Sequence, residues 1–174
     1  MTAVKCESCL TPMSDWAIST SDTLDYCDTC QHIQRNMTKC IAGARNHAWG
    51  GVGLFDKVRS FLTLRSLKAK LNIQKKQEPL SILDIGFGAG LLLKYFVENN
   101  HKCAGIEAEL LEVPHAKMLQ EKASLSFSNA EEADFGENLD LIYAIHVIEH
   151  LQAPQYVFEK CAQALKKGGQ VYFM

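Results

Sequence analysis

The stretch Ile82-Leu83-Asp84-Ile85-Gly86-Phe87-Gly88-Ala89-Gly90 decides the fold. Its first half continues the short run Leu80 to Ile85, rich in branched apolar residues and of a length that suits a buried strand. Glycines then break the run, where they allow a tight turn and let a ligand approach the backbone with no Cβ in the way. From Gly90 to Glu98 the residues read as an apolar helix, closed by Asn99-Asn100. Strand, glycine loop and helix in that order present the free N–H groups and the positive dipole end of the helix to whatever sits on the loop. A Gly-x-Gly-x-Gly run is a weak signal by itself and gains weight from this setting.

Working outward toward the C-terminus, strand and helix signals alternate at the spacing of βαβ units. The sequence predicts strands over Lys102 to Glu107, Leu125 to Ser128 and Leu139 to Ile145, and a last one beginning at Val171. Helices are predicted over Val113 to Ala123, with Pro114 in the first turn, and over Ala153 to Lys167, with Gly168-Gly169 just past the end. The run Leu139 to Ile145 is nearly all apolar, as a central parallel strand should be. The expected architecture is α/β: a Rossmann-like three-layer fold around a mostly parallel sheet of about five strands. Glu107 falls at the end of the second of these strands, about twenty residues beyond the loop. A carboxylate there can accept hydrogen bonds from both ribose hydroxyls, so loop and acid together read as a nucleoside-cofactor site.

Toward the N-terminus the composition changes. Residues 1–38 hold Cys6-Glu7-Ser8-Cys9 and Cys27-Asp28-Thr29-Cys30, seventeen residues apart, the spacing of a four-thiolate zinc site. Four protein ligands leave no open position, so the zinc expected at Cys6, Cys9, Cys27 and Cys30 is structural, with His32 an unnecessary alternative ligand. So short a region buries too little apolar surface to fold alone, and the metal would supply that free energy. Redox-active cysteines are the competing reading. Cys103 and Cys161 read as small core residues, and Cys40 has no assignment. Residues 39–79 read as a connector or lid, glycine-rich at Gly50-Gly51-Val52-Gly53 and then helical from Phe55 to Leu71, leaving 80–174 as the cofactor-binding domain.

Within the connector, Lys57, Arg59, Arg65, Lys68, Lys70, Lys75 and Lys76 occupy a twenty-residue run free of Asp and Glu. That run could hold a helix with Val58, Phe61, Leu62 and Leu71 on or near one side, and its charges are either the solvated face of a connector helix or a contact for the phosphates of RNA or anionic lipid. No aromatic platform for single-stranded nucleic acid accompanies it. The chain's formal net charge of -2 favours no nucleic-acid partner either way. With 47% hydrophobic residues the chain of 174 can build a core. No apolar stretch reaches bilayer length and the N-terminus lacks a signal-peptide core, so the default location is cytoplasmic.

The three stretches Ile82 to Gly90, Leu139-Asp140-Leu141-Ile142-Tyr143-Ala144-Ile145-His146-Val147-Ile148-Glu149-His150-Leu151 and Leu165-Lys166-Lys167-Gly168-Gly169-Gln170-Val171 come in the order and spacing that class I S-adenosylmethionine-dependent methyltransferases show. The resemblance covers 80–174 and is nearest to the branch with ubiquinone-biosynthesis O-methyltransferases and many small-molecule enzymes. It implies S-adenosylmethionine as cofactor and a set of roles. Gly86, Phe87, Gly88 and Gly90 would form the loop along the methionine part. Asp84 would face the cofactor's amino group, Glu107 the ribose and Ile145 the adenosine. Asn129, followed by Ala130, stands where the family often has an acid for the adenine amine, and its amide oxygen can accept the same bond. The family's sheet has seven strands, so the resemblance also implies that the domain is incomplete after Met174. Paired cysteines before such a domain resemble deoxysugar C-methyltransferases and certain ribosomal-RNA guanine methyltransferases.

His146, Glu149 and His150 follow the fourth strand, where the family places its acceptor. His146 is the candidate base, needed only when the nucleophile carries a proton that must leave. The string resembles the Glu-x-x-Glu-His divalent-ion motif of ubiquinone-pathway enzymes, with His146 in place of the first Glu, which ill suits Mg²⁺. It also matches the His-x-x-Glu-His of a zinc peptidase family, a reading rejected because the string begins at a strand end rather than on a helix. A third reading makes Glu149 and His150 polar neighbours of a helix start. The expected function is methyl transfer to a small-molecule acceptor such as a sugar nucleotide or a phenolic quinone precursor. The alternatives are RNA methylation using 57–76 and an inactive zinc-containing interaction module.

Overall fold

The structure, a computed structural model, describes residues 5–15, 24–35, 53–71, 78–108 and 116–174. Cys40, Gly50, Gly51, Lys75, Lys76 and Pro114 lie outside the described residues. The chain divides into two compact units, Met1–Ala44 and Arg45–Met174.

In the first unit, strands β1 (Ser14–Asp15), β2 (Leu24–Tyr26) and β3 (Ile33–Arg35) form a small antiparallel sheet in that order. Three strands of two or three residues cannot enclose a core, and Cys6 and Cys27 are its buried sulfur-bearing centre.

In the second unit, α1 (Leu54–Leu71) precedes β4 (Ser81–Ile85), α2 (Leu91–Glu98), β5 (Lys102–Glu107), α3 (Ala116–Lys122), β6 (Ala123–Phe127), β7 (Leu139–Ala144), α4 (Pro154–Ala164) and β8 (Leu165–Phe173). The strands pair in the order β6-β5-β4-β7-β8, all parallel. Side chains alternate along each strand, so Ile82, Leu141 and Tyr143 face a core with Leu67, Leu93, Phe96 and Leu119 from α1, α2 and α3. Leu83, Ile85, Ile142 and Ala144 face the other core, with Val157, Cys161 and Ala164 of α4. These are the three layers expected from the alternating pattern. Strand β7 is buried at all six positions, which is why its sequence carries no polar alternation.

Several expected boundaries move. Strand β6 starts at Ala123 and ends at Phe127, and β7 ends one residue before Ile145. Helix α4 stops at Ala164, not at Lys167. Leu165 already pairs with Leu139, the register then jumps so that Gln170 opposes Leu141, and Gly168-Gly169 lies inside this irregularity rather than capping a helix. Gly168 has φ 80°, and a Cβ on Gly169 would come within 2.7 Å of the Leu139 carbonyl oxygen, so both positions favour glycine.

Helix α1 buries Thr63, Leu67 and Leu71, whereas Val58, Phe61 and Leu62, expected near the same face as Leu71, are exposed among the described residues. Only its second half overlies the core cluster. Three of its basic residues have a neighbour within the unit. Arg59 pairs with Asp56 at 3.6 Å, the Lys68 ammonium sits 4.2 Å over the Tyr95 ring and that of Lys70 5.3 Å over Tyr172. No described helix is long and apolar enough to cross a membrane.

Candidate cofactor site and cysteine cluster

The order in which strands are added reverses at β4: β5 and β6 follow on one side of it, and β7 and β8 on the other, all running parallel. Ligands of open parallel sheets bind at the carboxyl ends of strands beside such a switch point. The register aligns Ile85 with Ile106 and with Ala144, and Glu107 with Phe127. Phe127, Glu107, Gly86 and Ile145 therefore follow one another, in that order, along a single edge of the sheet.

The glycine loop is built as the sequence predicts. Gly86, Gly88 and Gly90 have φ of 74°, 52° and 73°, in the left-handed region. A Cβ at Gly86 would also collide with Cγ2 of Val147. Phe87 is buried against β5, where a Cβ on Gly105 would lie 2.7 Å from its ring and 2.9 Å from Leu93. Gly105 is thus part of the loop's seat, and it stands in the sequence without any motif to mark it. The Phe87 and Phe127 rings meet edge to face at 5.9 Å.

Glu107 closes the loop from the neighbouring strand. The Gly88 N–H donates to its Oε2 at 2.8 Å, and the Ala108 N–H to its Oε1 at 2.9 Å. Loop and acid, nineteen residues apart in the chain, are in direct contact.

Beneath the loop, Asp84 is buried and accepts a 2.7 Å hydrogen bond from the Tyr143 hydroxyl. The two residues are direct neighbours in register on β4 and β7. Burial pushes the Asp84 carboxyl up to about 8, the Tyr143 hydroxyl opposing that shift and the Glu107 charge adding to it. Its ordinary value is 3.8. Across that window the folded chain holds a proton that the unfolded chain releases, so stability falls as pH rises from 3.8 to about 8 and levels off above. Asp84→Asn keeps the shape and cannot ionise. Urea titrations at about pH 5 and about pH 8 are expected to give a smaller stability difference for this variant than for the unaltered chain, and equal differences would mean that Asp84 is ionised throughout. Tyr143 is a partner that sequence reasoning missed. The available signal was a phenol in an otherwise apolar strand, since a buried tyrosine hydroxyl needs an acceptor.

The remaining candidates lie along the same edge. Ile145 is half-buried against the α1–α2 core. Asn129 is exposed and Ala130 buried, and the Asn129 carbonyl accepts from the N–H groups of Glu132 and Ala133, forming a turn. His146 is exposed, with φ 55°, and its N–H donates to the Met174 carbonyl at 2.6 Å. Such a backbone is uncommon outside glycine and tends to occur at functional sites. Glu149 lies between two histidines, 3.9 Å from Nδ1 of His146 and 4.0 Å from Nε2 of His150. Ile148–His150 is one turn of 3₁₀ helix, so the histidines do not share the long helix face that a peptidase motif requires.

In the other unit, each Cys-x-x-Cys forms the same knuckle. The Cys6 N–H donates to the Thr11 carbonyl at 2.8 Å and the Leu10 N–H to the Cys6 carbonyl at 2.9 Å; Cys27, His32 and Gln31 repeat this at 2.9 and 2.8 Å. Leu10 and Gln31 both take left-handed backbone, at φ 64° and 62°. The four sulfurs lie within 4.8 Å of one another, with 3.6 Å between Cys6 and Cys30 and 3.4 Å between Cys9 and Cys27. The Thr11 hydroxyl touches Sγ of Cys9 at 2.9 Å and of Cys27 at 3.3 Å. That hydroxyl and the Cys30 backbone favour the Cys27 thiolate and bring its pKa down to about 5. By contrast, burial pushes the Cys103 thiol up to about 12 and that of Cys161 to about 11, in keeping with unreactive core positions.

Comparison with known proteins gives this geometry a family. The profile of the methyltransferase domain matches residues 53–174. A ubiquinone biosynthesis O-methyltransferase of Nitrobacter winogradskyi is 35% identical over 96 residues, 53% of this chain and 37% of that protein. One from Chelativorans sp. is 29% identical over 139 residues, 71% of this chain and 55% of that protein. The chain thus spans about a third to a half of the length of these curated relatives. Among solved structures, the plantazolicin methyltransferase BpumL in complex with a monoazolic desmethylPZN analog and SAH superposes with a TM-score of 0.57 at 23% identity, over 67% of this chain and 47% of that one. The [4+2]-cyclase SpnF superposes with a TM-score of 0.56 at 18% identity, over 74% of this chain and 50% of that one, so likeness at this level carries the fold alone. With the parallel β6-β5-β4-β7-β8 sheet and the profile match over 53–174, the chain belongs to the methyltransferase domain family, in the class I Rossmann-like fold of the S-adenosylmethionine-dependent enzymes.

Proposed function

We infer that the chain carries the cofactor-binding part of an enzyme that transfers a methyl group from S-adenosylmethionine to a hydroxyl of a small organic acceptor. The observation that carries this reading is the 2.8 Å contact between the Gly88 N–H and Glu107 Oε2 at the switch point, which unites a glycine loop and a ribose acid in one site. Support for an oxygen acceptor comes from the relatives named O-methyltransferases. When bound, the cofactor supplies a methyl group already activated on a positively charged sulfur. The chain's own work is to bind, orient and exclude water. Gly86, Phe87, Gly88 and Gly90 line the methionine part, Asp84 orients the loop, Glu107 takes the ribose, Ile145 packs on the adenosine, and Asn129 with Ala130 meets the adenine. His146 takes the proton of the acceptor hydroxyl.

The four thiolates form a structural zinc site. In a tetrahedral site with Zn–S bonds of about 2.3 Å, sulfurs are about 3.8 Å apart, and the spacing of Cys6, Cys9, Cys27 and Cys30 suits that geometry. In this reading 1–38 is the zinc knuckle, 39–79 the connector and 80–174 the cofactor-binding domain. The RNA alternative loses support because Lys68 and Lys70 are drawn over aromatic rings and Arg59 to Asp56.

Calorimetric titration with S-adenosylhomocysteine, followed by transfer of labelled methyl to a panel of phenolic and sugar acceptors, tests the reading. His146→Ala is expected to lower kcat about 10²- to 10³-fold while leaving S-adenosylhomocysteine affinity within about threefold. A folded chain that binds no S-adenosylhomocysteine overturns the cofactor assignment, and an unchanged kcat in His146→Ala overturns the base.

A further inference from the structure

Outside the glycine loop, a second feature of the cofactor edge stands out: a reciprocal clamp between α4 and the turn that follows β6. From α4, the half-buried Lys160 ammonium donates to the carbonyls of Ala130 and Glu131, each at 3.2 Å, and to that of Ala133. The same ammonium lies 4.7 Å over the Phe135 ring and 5.6 Å from that of Tyr156. From the turn, Glu131 reaches back, its Oε1 accepting the N–H groups of Gln152 at 2.8 Å and Ala153 at 3.3 Å, just where α4 begins. A carboxylate at a helix N-terminus and a cation among carbonyls are each favourable, and here each side holds the other.

The clamp has a consequence for the ligand edge. Peptide units are planar and trans, so an N–H points opposite to the carbonyl of the preceding residue. The Asn129 carbonyl is turned into the turn by Glu132 and Ala133, which directs the Ala130 N–H outward. Fixing the next carbonyls on Lys160 leaves the turn one arrangement. A purine base is read by such edge donors and acceptors, and a site that hydrogen-bonds a particular base discriminates against an analogue with reversed edge groups.

We propose that Lys160, with Glu131, is a positioning pair that locks the 129–133 turn and so makes the site selective for adenine in its nucleoside ligand. This rests on the cofactor reading above. Neither residue contacts the ligand; Asn129 and Ala130 do.

The test compares S-adenosylhomocysteine with S-inosylhomocysteine, whose base has an oxo group in place of the amine and a protonated ring nitrogen in place of an acceptor. Both are titrated calorimetrically into the whole chain, into Lys160→Met, which keeps an apolar stem, and into Glu131→Ala, which releases the other end of the clamp. The unaltered chain is expected to favour the adenosyl ligand at least about tenfold, and both variants to lose most of that ratio, chiefly by weakening the adenosyl ligand. Loss of affinity for both ligands by the same factor would make the clamp merely structural and overturn the proposal, as would an unchanged ratio in either folded variant. Should Lys160→Met fail to fold, Glu131→Ala decides alone. An unaltered chain that binds neither ligand overturns the cofactor reading itself, whereas one that binds both equally overturns only the adenine selectivity.

Discussion

Glu107→Ala is expected to weaken S-adenosylhomocysteine binding about 30- to 100-fold, measured by calorimetric titration against the unaltered chain. Two losses combine. In the proposed site the carboxylate accepts from the ribose hydroxyls, and bonds to an ionised group contribute about 1.5–3 kcal/mol each. It also accepts the Gly88 N–H, so its removal leaves a loop of three left-handed glycines without the partner that holds it in place. Gly-rich segments lose more backbone entropy on ordering than others, and a loosened loop returns that cost to the binding step. Glu107→Gln separates the contributions. It retains an oxygen that the Gly88 N–H can use, and its remaining deficit, expected at about tenfold, belongs to the charge. Variants that bind as tightly as the unaltered chain would remove Glu107 from the site.

Zinc removal is expected to unfold the first unit and spare the second. Structural zinc contributes on the order of 10–16 kcal/mol in small domains at neutral pH, far more than three short strands can supply. Metal analysis of freshly purified chain should give one equivalent of zinc. After chelation, hydrogen exchange should lose protection at Asp25 and Tyr26, in the paired strand β2, while Leu83 and Ile142 stay protected. Cys27→Ser is expected to behave as the chelated chain does, because the hydroxyl is a poor substitute for a thiolate that Thr11 and the Cys30 backbone already favour. Less than half an equivalent of zinc in unchelated protein, or β2 protection that survives chelation, would overturn the structural metal.

Much of the architecture was legible because the signals are local. The glycines of 86–90, the apolar run of β7 and the two cysteine pairs each carry their meaning within a few residues, since φ limits, two-residue alternation and ligand spacing operate at that range. The boundary of α4 was not. Leu165 to Lys167 have ordinary helix propensity, and pairing with β7 overrides it. The buried face of α1 was not legible either: at about 100° per residue Val58 lies opposite Leu67, so Val58, Phe61 and Leu62 point away from the stripe that Thr63, Leu67 and Leu71 turn to the core.

By itself, then, the sequence determined the order of strands and helices, the glycine loop with Glu107 opposite it, the cysteine pairs and the family resemblance. Only the tertiary structure decided which polar groups meet: Tyr143 with Asp84, Lys160 with three carbonyls of the 129–133 turn, Glu131 with the start of α4, and Thr11 with two cysteine sulfurs. Dihedral preferences and apolar periodicity are written along the chain. A buried hydrogen bond between residues 59 apart, such as that of Tyr143 to Asp84, exists only once strand register has brought its two ends together.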